Sequence, residues 1–96
     1  MDKLNVLFFK ASWCLPCKTL EPIIETVCKE LNIKLTKFNV ESSPDIANQL
    51  SIMNIPTIII ISNEVEVGRI IGATSKNKLL TKIKSLQENY DNKHQE

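Results

Sequence analysis

Several functions are excluded by what this sequence does not contain. No apolar run approaches the roughly 20 residues that a membrane-crossing helix needs, so no membrane attachment is expected. The run at residues 4–9 is too short for a signal-peptide core. No small-residue cleavage site follows it, so a cytoplasmic protein is expected. Neither charge is in excess: 12 Lys and Arg face 11 Asp and Glu, for a net charge of +1. Nucleic acid is therefore not expected as a partner. Aromatic residues are scarce, with one Trp, one Tyr and three Phe, which leaves no stacking platform for bases. Cysteines number three. An odd count fits poorly with the paired framework of a small secreted protein.

What remains is an ordinary globular composition, 43% apolar and 24% charged, in a chain of 96 residues. That length suffices for one domain, expected over residues 1–88, with a polar tail over 89–96. Residues 4–9 form a near-continuous apolar run rich in strand formers, which predicts a buried strand. Over residues 17–31, Leu20, Ile23, Ile24, Val27, Cys28 and Leu31 recur at three- and four-residue steps, the stripe of an amphipathic helix. Pro22 lies inside that pattern and is expected to kink the helix. A second strand is predicted over residues 35–40. Ser43-Pro44-Asp45 then reads as a helix start, with a capping hydroxyl, a proline at the first helical position and an acid at the positive helix end. The short helix that follows turns Ile46, Ala47 and Leu50 inward.

Residues 57–61, Thr-Ile-Ile-Ile-Ile, predict a central strand. Ser62-Asn63-Glu64 suits a hairpin turn, and residues 65–71 return as its partner. Ser75 opens a last helix whose Leu79, Leu80, Ile83 and Leu86 form the buried face. From Gln87 the chain turns polar and is expected to fray. The order β-α-β-α-β-β-α implies a parallel pair joined by a right-handed crossover, with an antiparallel hairpin added, in an α/β fold.

Trp13-Cys14-Leu15-Pro16-Cys17-Lys18 stands between the first strand and the first helix. With Cys14 at the helix N-terminus and Cys17 one turn in, the two Cα atoms are about 5 Å apart. That separation lies within the window for an unstrained disulfide. Unpaired N–H groups and the positive helix end favour a thiolate at Cys14. Lowered pKa and exposure make Cys14 the expected nucleophile, with Cys17 as the sulfur that resolves the mixed disulfide. Pro16 is tolerated in a first turn because its missing donor would be unpaired anyway. Zinc binding is the rival reading, but it needs about four ligands. The chain offers Cys14, Cys17, Cys28 and His94. Cys28 lies far along the same helix and His94 lies in the tail, so no intramolecular metal site is expected, while a dimer-bridging one stays open. A structural disulfide is disfavoured in the cytosol. Cys28 itself reads as a small buried hydrophobe, with a regulatory thiol as the alternative.

These residues resemble the thioredoxin family. Trp13-Cys14-Leu15-Pro16-Cys17-Lys18 is similar to its Trp-Cys-Gly-Pro-Cys-Lys signature, with Leu15 for Gly. Ile55-Pro56-Thr57 is similar to its Ile-Pro-Thr segment, whose proline is cis and sits beside the cysteines. Pro22 matches the helix-kinking proline, Gly72 the glycine after the last strand, and Lys37 a lysine behind the active site. The resemblance runs from about Val6 to Leu86. It implies a minimal thioredoxin fold, lacking the first strand and helix of full-length members, with a four-stranded mixed sheet of order 2-1-3-4 flanked by three helices. It implies substrate contacts at Trp13, Leu15, Pro16, Ile55 and Pro56, with the Ile55 backbone open for strand-like pairing. Phe8 stands where the family usually has a buried Asp that assists proton transfer at the resolving cysteine, so another group or water must serve. Lys10 replaces a common Trp. The truncation leaves residues 35–40 at a sheet edge, which Lys34 and Lys37 guard, and a monomer is expected.

The function expected is a thiol–disulfide oxidoreductase that reduces protein disulfides and is recharged by a thioredoxin-reductase-like flavoprotein, with no bound cofactor. Two alternatives are a glutaredoxin-like, glutathione-dependent reductase and a thioredoxin-fold binding subunit whose cysteines matter little.

Overall fold

The computed structural model describes residues 4–94, with side chains described through residue 88. Its elements follow the expected order: β1 (Leu4–Lys10), α1 (Leu15–Glu30), β2 (Lys34–Asn39), α2 (Pro44–Gln49), β3 (Thr57–Ser62), β4 (Val65–Ile71) and α3 (Lys76–His94). The sheet runs β2-β1-β3-β4, the order implied by the resemblance. β1 pairs parallel with β2 and antiparallel with β3, and β3 pairs antiparallel with β4. Both residues of the β3–β4 turn, Asn63 and Glu64, have positive φ, as a two-residue hairpin of matching twist requires.

Alternation along the two central strands builds the core. Leu4, Val6 and Phe8 of β1 and Ile58 and Ile60 of β3 face α1 and α3. The helices return Leu20, Ile24, Val27, Leu79 and Ile83, all essentially buried. Phe9 and Ile59 point to the other face and are buried there, with Phe9 stacked on Phe38 of β2 at 5.2 Å between centroids. At Gly68 of β4, an added Cβ would lie 2.8 Å from Leu86 Cδ1, so the missing side chain is what lets α3 approach the sheet. Arg69, next along β4, points away from α3. Its Nη2 donates to the Leu50 carbonyl at 2.7 Å and its Nη1 to the Ser51 carbonyl at 3.4 Å, which places the end of α2 on the opposite face.

Four expectations are corrected. Ser43 does stand before α2, but its hydroxyl makes no capping bond. Its ψ of 60° departs from the extended backbone that aims a capping oxygen at the first turn. Ile46 and Leu50 are only half-buried, and Ala47 alone of the expected three is buried, because a single short helix turn presents one residue squarely to the sheet. Helix α3 does not end at Gln87 but continues to His94, since polar residues such as Gln, Glu and Lys are good helix formers and need no core to extend a helix already begun. Lys37 does not guard the β2 edge: it turns to α1 and pairs with Glu21 and Glu25. The side chains of residues 89–96, including His94, lie outside the described residues.

The cap expected at Ser75 holds. Ser75 Oγ accepts from the Lys78 N–H at 3.1 Å and caps α3. Helix α1 passes through Pro22, whose carbonyl accepts the Thr26 hydroxyl at 2.9 Å.

Candidate active site

The chain leaves β1 at Lys10, turns through Ser12 and Trp13, and enters α1 at Leu15. The turn is closed by the Cys14 N–H donating to the Ala11 carbonyl at 3.2 Å. Cys14 is the N-cap of α1, with extended backbone, and its Sγ accepts the Cys17 N–H at 3.2 Å. A cysteine sulfur thus fills the place a serine or aspartate oxygen takes at other helix starts. Cys14 and Cys17 are joined in a disulfide with their Cα atoms 5.3 Å apart, in line with one turn of helix. Cys14 is not exposed, contrary to expectation: in the bridged state it is 4% exposed and Cys17 1%. Its side chain turns inward to reach Cys17, and both join the core cluster that contains Phe8 and Ala11.

Three segments converge on the pair. The Ile55–Pro56 peptide is cis, and the Pro56 carbonyl accepts the Gly72 N–H at 2.8 Å. Gly72 has φ +88°, a backbone conformation that glycine adopts without steric cost, so its presence after β4 ties that strand end to the Pro56 turn. Trp13 and Leu15 stand out from the surface, Ile55 is half-buried and Pro56 is buried. Among the described residues, none hydrogen-bonds the Ile55 backbone N–H or carbonyl.

Two polar clamps hold these segments, and neither was foreseen. Glu41, after β2, accepts both the N–H and the hydroxyl of Ser12, at 3.3 and 3.0 Å, and so steadies the turn that carries Trp13. Arg69 forms a two-pronged pair with Glu66 at 2.7 and 2.8 Å while holding the carbonyls that end α2. It thereby anchors the segment leading to Pro56. A quartet of charges joins the end of β1 and β2 to α1. Glu21 accepts Lys10 at 3.0 and 3.1 Å and meets Lys37 at 2.9 Å, and Lys37 also pairs with Glu25. The two ammonium groups, Lys37 foremost, hold the Glu21 carboxyl below the usual carboxylate range. Lys37 is raised in turn, chiefly by Glu25. Lys37 thus meets two acids of α1, while Phe8, where the resemblance implies a buried acid, is fully buried in the core cluster. Among the described residues no group of His, Cys, Asp and Glu is arranged to hold a metal ion.

The thioredoxin family model matches residues 1–85. The thioredoxin of Chlorobaculum thiosulfatiphilum is 40% identical over 84 residues, spanning 85% of this chain and 78% of that protein. The chain belongs to the thioredoxin family. A second thioredoxin relative, the bifunctional thioredoxin reductase/thioredoxin of Mycobacterium leprae (strain TN), is 35% identical over 90 residues, 92% of this chain and 20% of that protein. Thioredoxin 1 from the thermophilic eubacterium Thermosipho africanus TCF52B matches in structure with a TM-score of 0.84 at 26% identity, covering 91% of this chain and 98% of that one. With thioredoxin membership and a bridged Cys14–Cys17 pair, the chain is a dithiol–disulfide oxidoreductase that reduces protein disulfides. The reading as a binding subunit with idle cysteines has no support left.

Cys28, the third thioredoxin cysteine, is free and buried on α1, and burial pushes its thiol up to about 11. At pH 8, iodoacetamide on the reduced native protein is expected to leave Cys28 unmodified, and to label it once urea is added; peptide mass spectrometry reads both. Fast native labelling of Cys28 would show that it is neither shielded nor protonated. The raised pKa also sets a sign. The folded state holds this proton more tightly, so its stability contribution is intact below pH 9.0 and is lost as pH rises through about 11.

Proposed function

We propose that Cys14 is the attacking sulfur and Cys17 the resolving one. The observation that carries this assignment is the Cys17 N–H donating to Cys14 Sγ at the N-cap of α1. A donor already aimed at that sulfur, together with the positive helix end, favours its anion once the bridge is opened. In the reduced protein the Cys14 thiolate attacks one sulfur of a substrate disulfide. That bond breaks, a Cys14–substrate disulfide forms, and the departing substrate sulfur leaves as a thiolate that takes a proton from water. Cys17 then loses its proton to water and attacks Cys14 Sγ. The Cys14–Cys17 bond forms, and the second substrate sulfur leaves as a thiolate and is protonated in turn. Two electrons pass from the dithiol to the substrate.

The substrate chain lies along Trp13, Leu15, Pro16, Ile55 and Pro56. The unpaired backbone of Ile55 supports this, because an extended peptide completes those two hydrogen bonds. A thioredoxin-reductase-like flavoprotein returns the two electrons, a reading supported by the relative whose own chain joins a thioredoxin reductase to a thioredoxin. The protein acts as a monomer in the reducing cytoplasm.

Insulin-disulfide reduction tests the donor. Turnover is expected with NADPH and thioredoxin reductase and not with NADPH, glutathione reductase and glutathione. Turnover in the glutathione arm alone would establish the glutaredoxin-like alternative instead.

A further inference from the structure

Helices α1 and α2 end on the same hydrogen-bond pattern. After α1, the Asn32 N–H donates to the Lys29 carbonyl at 3.2 Å and the Ile33 N–H to the Cys28 carbonyl at 2.8 Å. After α2, the Ser51 N–H donates to the Asn48 carbonyl at 3.1 Å and the Ile52 N–H to the Ala47 carbonyl at 2.9 Å. Each pattern turns on one residue in the left-handed region, Asn32 at φ 56° and Ser51 at φ 55°. Glycine is the usual residue there and asparagine the usual substitute. Serine is neither, and its Cβ makes that conformation unfavourable. The two helix ends differ in a second way. Arg69 holds the carbonyls on both sides of Ser51, that of Leu50 at 2.7 Å and that of Ser51 itself at 3.4 Å. Glu66 fixes the guanidinium in turn through its two-pronged pair. Among the described residues, no side chain holds the carbonyls of Leu31 and Asn32.

We propose that Arg69 is a positioning residue for disulfide reduction: it locks Ser51 in its left-handed conformation and thereby sets where the Ile55 backbone meets the substrate chain. The proposal rests on the reading that the substrate pairs with that backbone. The Leu50 carbonyl belongs to the peptide plane before Ser51, and the Ser51 carbonyl to the plane after it. A grip on both fixes φ and ψ of Ser51, and so the direction in which the chain leaves α2. The cation also suits the negative end of that helix. Only Ile52, Met53 and Asn54 separate Ser51 from Ile55. On the far side, the Thr57 hydroxyl holds the Asn54 carbonyl at 2.6 Å and the Gly72 N–H holds the Pro56 carbonyl at 2.8 Å. The segment is strung between those bonds and Arg69. Released at Arg69, Ser51 relaxes toward negative φ, and the near end of the segment shifts with it.

The test uses a peptide closed by one disulfide, with turnover driven by dithiothreitol. The second substrate is bis(2-hydroxyethyl) disulfide, which has no backbone to pair. Arg69→Met keeps most of the stem and removes the donors. It is expected to raise KM for the peptide about fivefold with kcat within about twofold, and to leave the rate on the small disulfide unchanged. Glycine takes the left-handed region at no steric cost. Ser51→Gly added to Arg69→Met is therefore expected to return KM to within about twofold of the natural value. Arg69→Lys keeps the charge but cannot fork over both carbonyls. It is expected to raise KM about twofold, to be reversed by Ser51→Gly as well, and to carry the test if Arg69→Met does not fold. An unchanged KM in the folded variants, a parallel loss on both substrates, or a rise that Ser51→Gly does not reverse overturns the proposal. The pairing it rests on is tested apart. N-methylation of the two peptide amides flanking the cysteine removes their donors and is expected to raise KM on the natural protein. An unchanged KM there refutes the pairing and this role of Arg69 with it, whereas a raised KM there with inert Arg69 variants refutes the role alone.

Discussion

Cys14→Ser is expected to reduce insulin no faster than dithiothreitol alone. A serine hydroxyl at the N-cap can accept the Cys17 N–H as the sulfur does, so the helix start survives and the loss is chemical. Oxygen cannot enter the S–S exchange, and no mixed disulfide forms. Cys17→Ser has a different outcome. Cys14 still attacks, but nothing displaces it, and the substrate stays attached. The adduct is expected at a mass equal to protein plus substrate half, released by dithiothreitol and mapped to Cys14 by peptide mass spectrometry. Turnover surviving Cys14→Ser would remove the mechanism, and an adduct on Cys17 in that variant would exchange the two roles. Cys28 does not confuse the result, because it is buried on α1 and its thiol stays protonated at assay pH.

Phe8→Ala is expected to have the largest effect on stability. Phe8 is fully buried in β1, between β2 and β3, and shares a cluster with Cys14, Cys17 and Leu20. Truncating a buried Phe costs about 3–5 kcal/mol, from lost burial and from the cavity left behind. A domain of this size has only about 5–15 kcal/mol to lose. Urea unfolding of the oxidised protein is expected to show a midpoint far below that of the natural protein at similar slope. A loss under about 1.5 kcal/mol would mean that the neighbouring side chains close the gap. This residue also bears on catalysis. Where the family carries an acid, a phenyl ring stands within the cluster that holds Cys17, and that cluster consists of apolar and cysteine side chains. Phe8 itself therefore offers the Cys17 proton no acceptor.

Much of the molecule was legible because it is local. Thr57 to Ile61 is a run that only a central strand accommodates, and the apolar stripe from Leu20 to Cys28 fits one helix face. The cysteine spacing itself sets a one-turn separation, and the Cα atoms lie 5.3 Å apart against about 5 Å from helix geometry. The clamps were illegible. Ser12 and Glu41 belong to different turns, and Arg69 reaches carbonyls of Leu50 and Ser51, which carry no sequence signal at all because every residue has one. The ion quartet misled for a related reason. Lys37 reads as an edge guard on its own strand, and only the pairing of β1 with β2 under α1 brings it to Glu21 and Glu25.

By itself the sequence determined which segments are strands and helices, which two sulfurs share a helix turn, and which of them heads the helix. Each of these depends on neighbours within a few residues, where backbone geometry leaves few choices. The tertiary structure alone decided that Cys14 is covered in its bridged state, that Gly68 makes room for Leu86, and that Lys37 meets two acids of α1. Those outcomes depend on strand register and on how closely helices approach the sheet, and packing sets both only when the whole chain has come together.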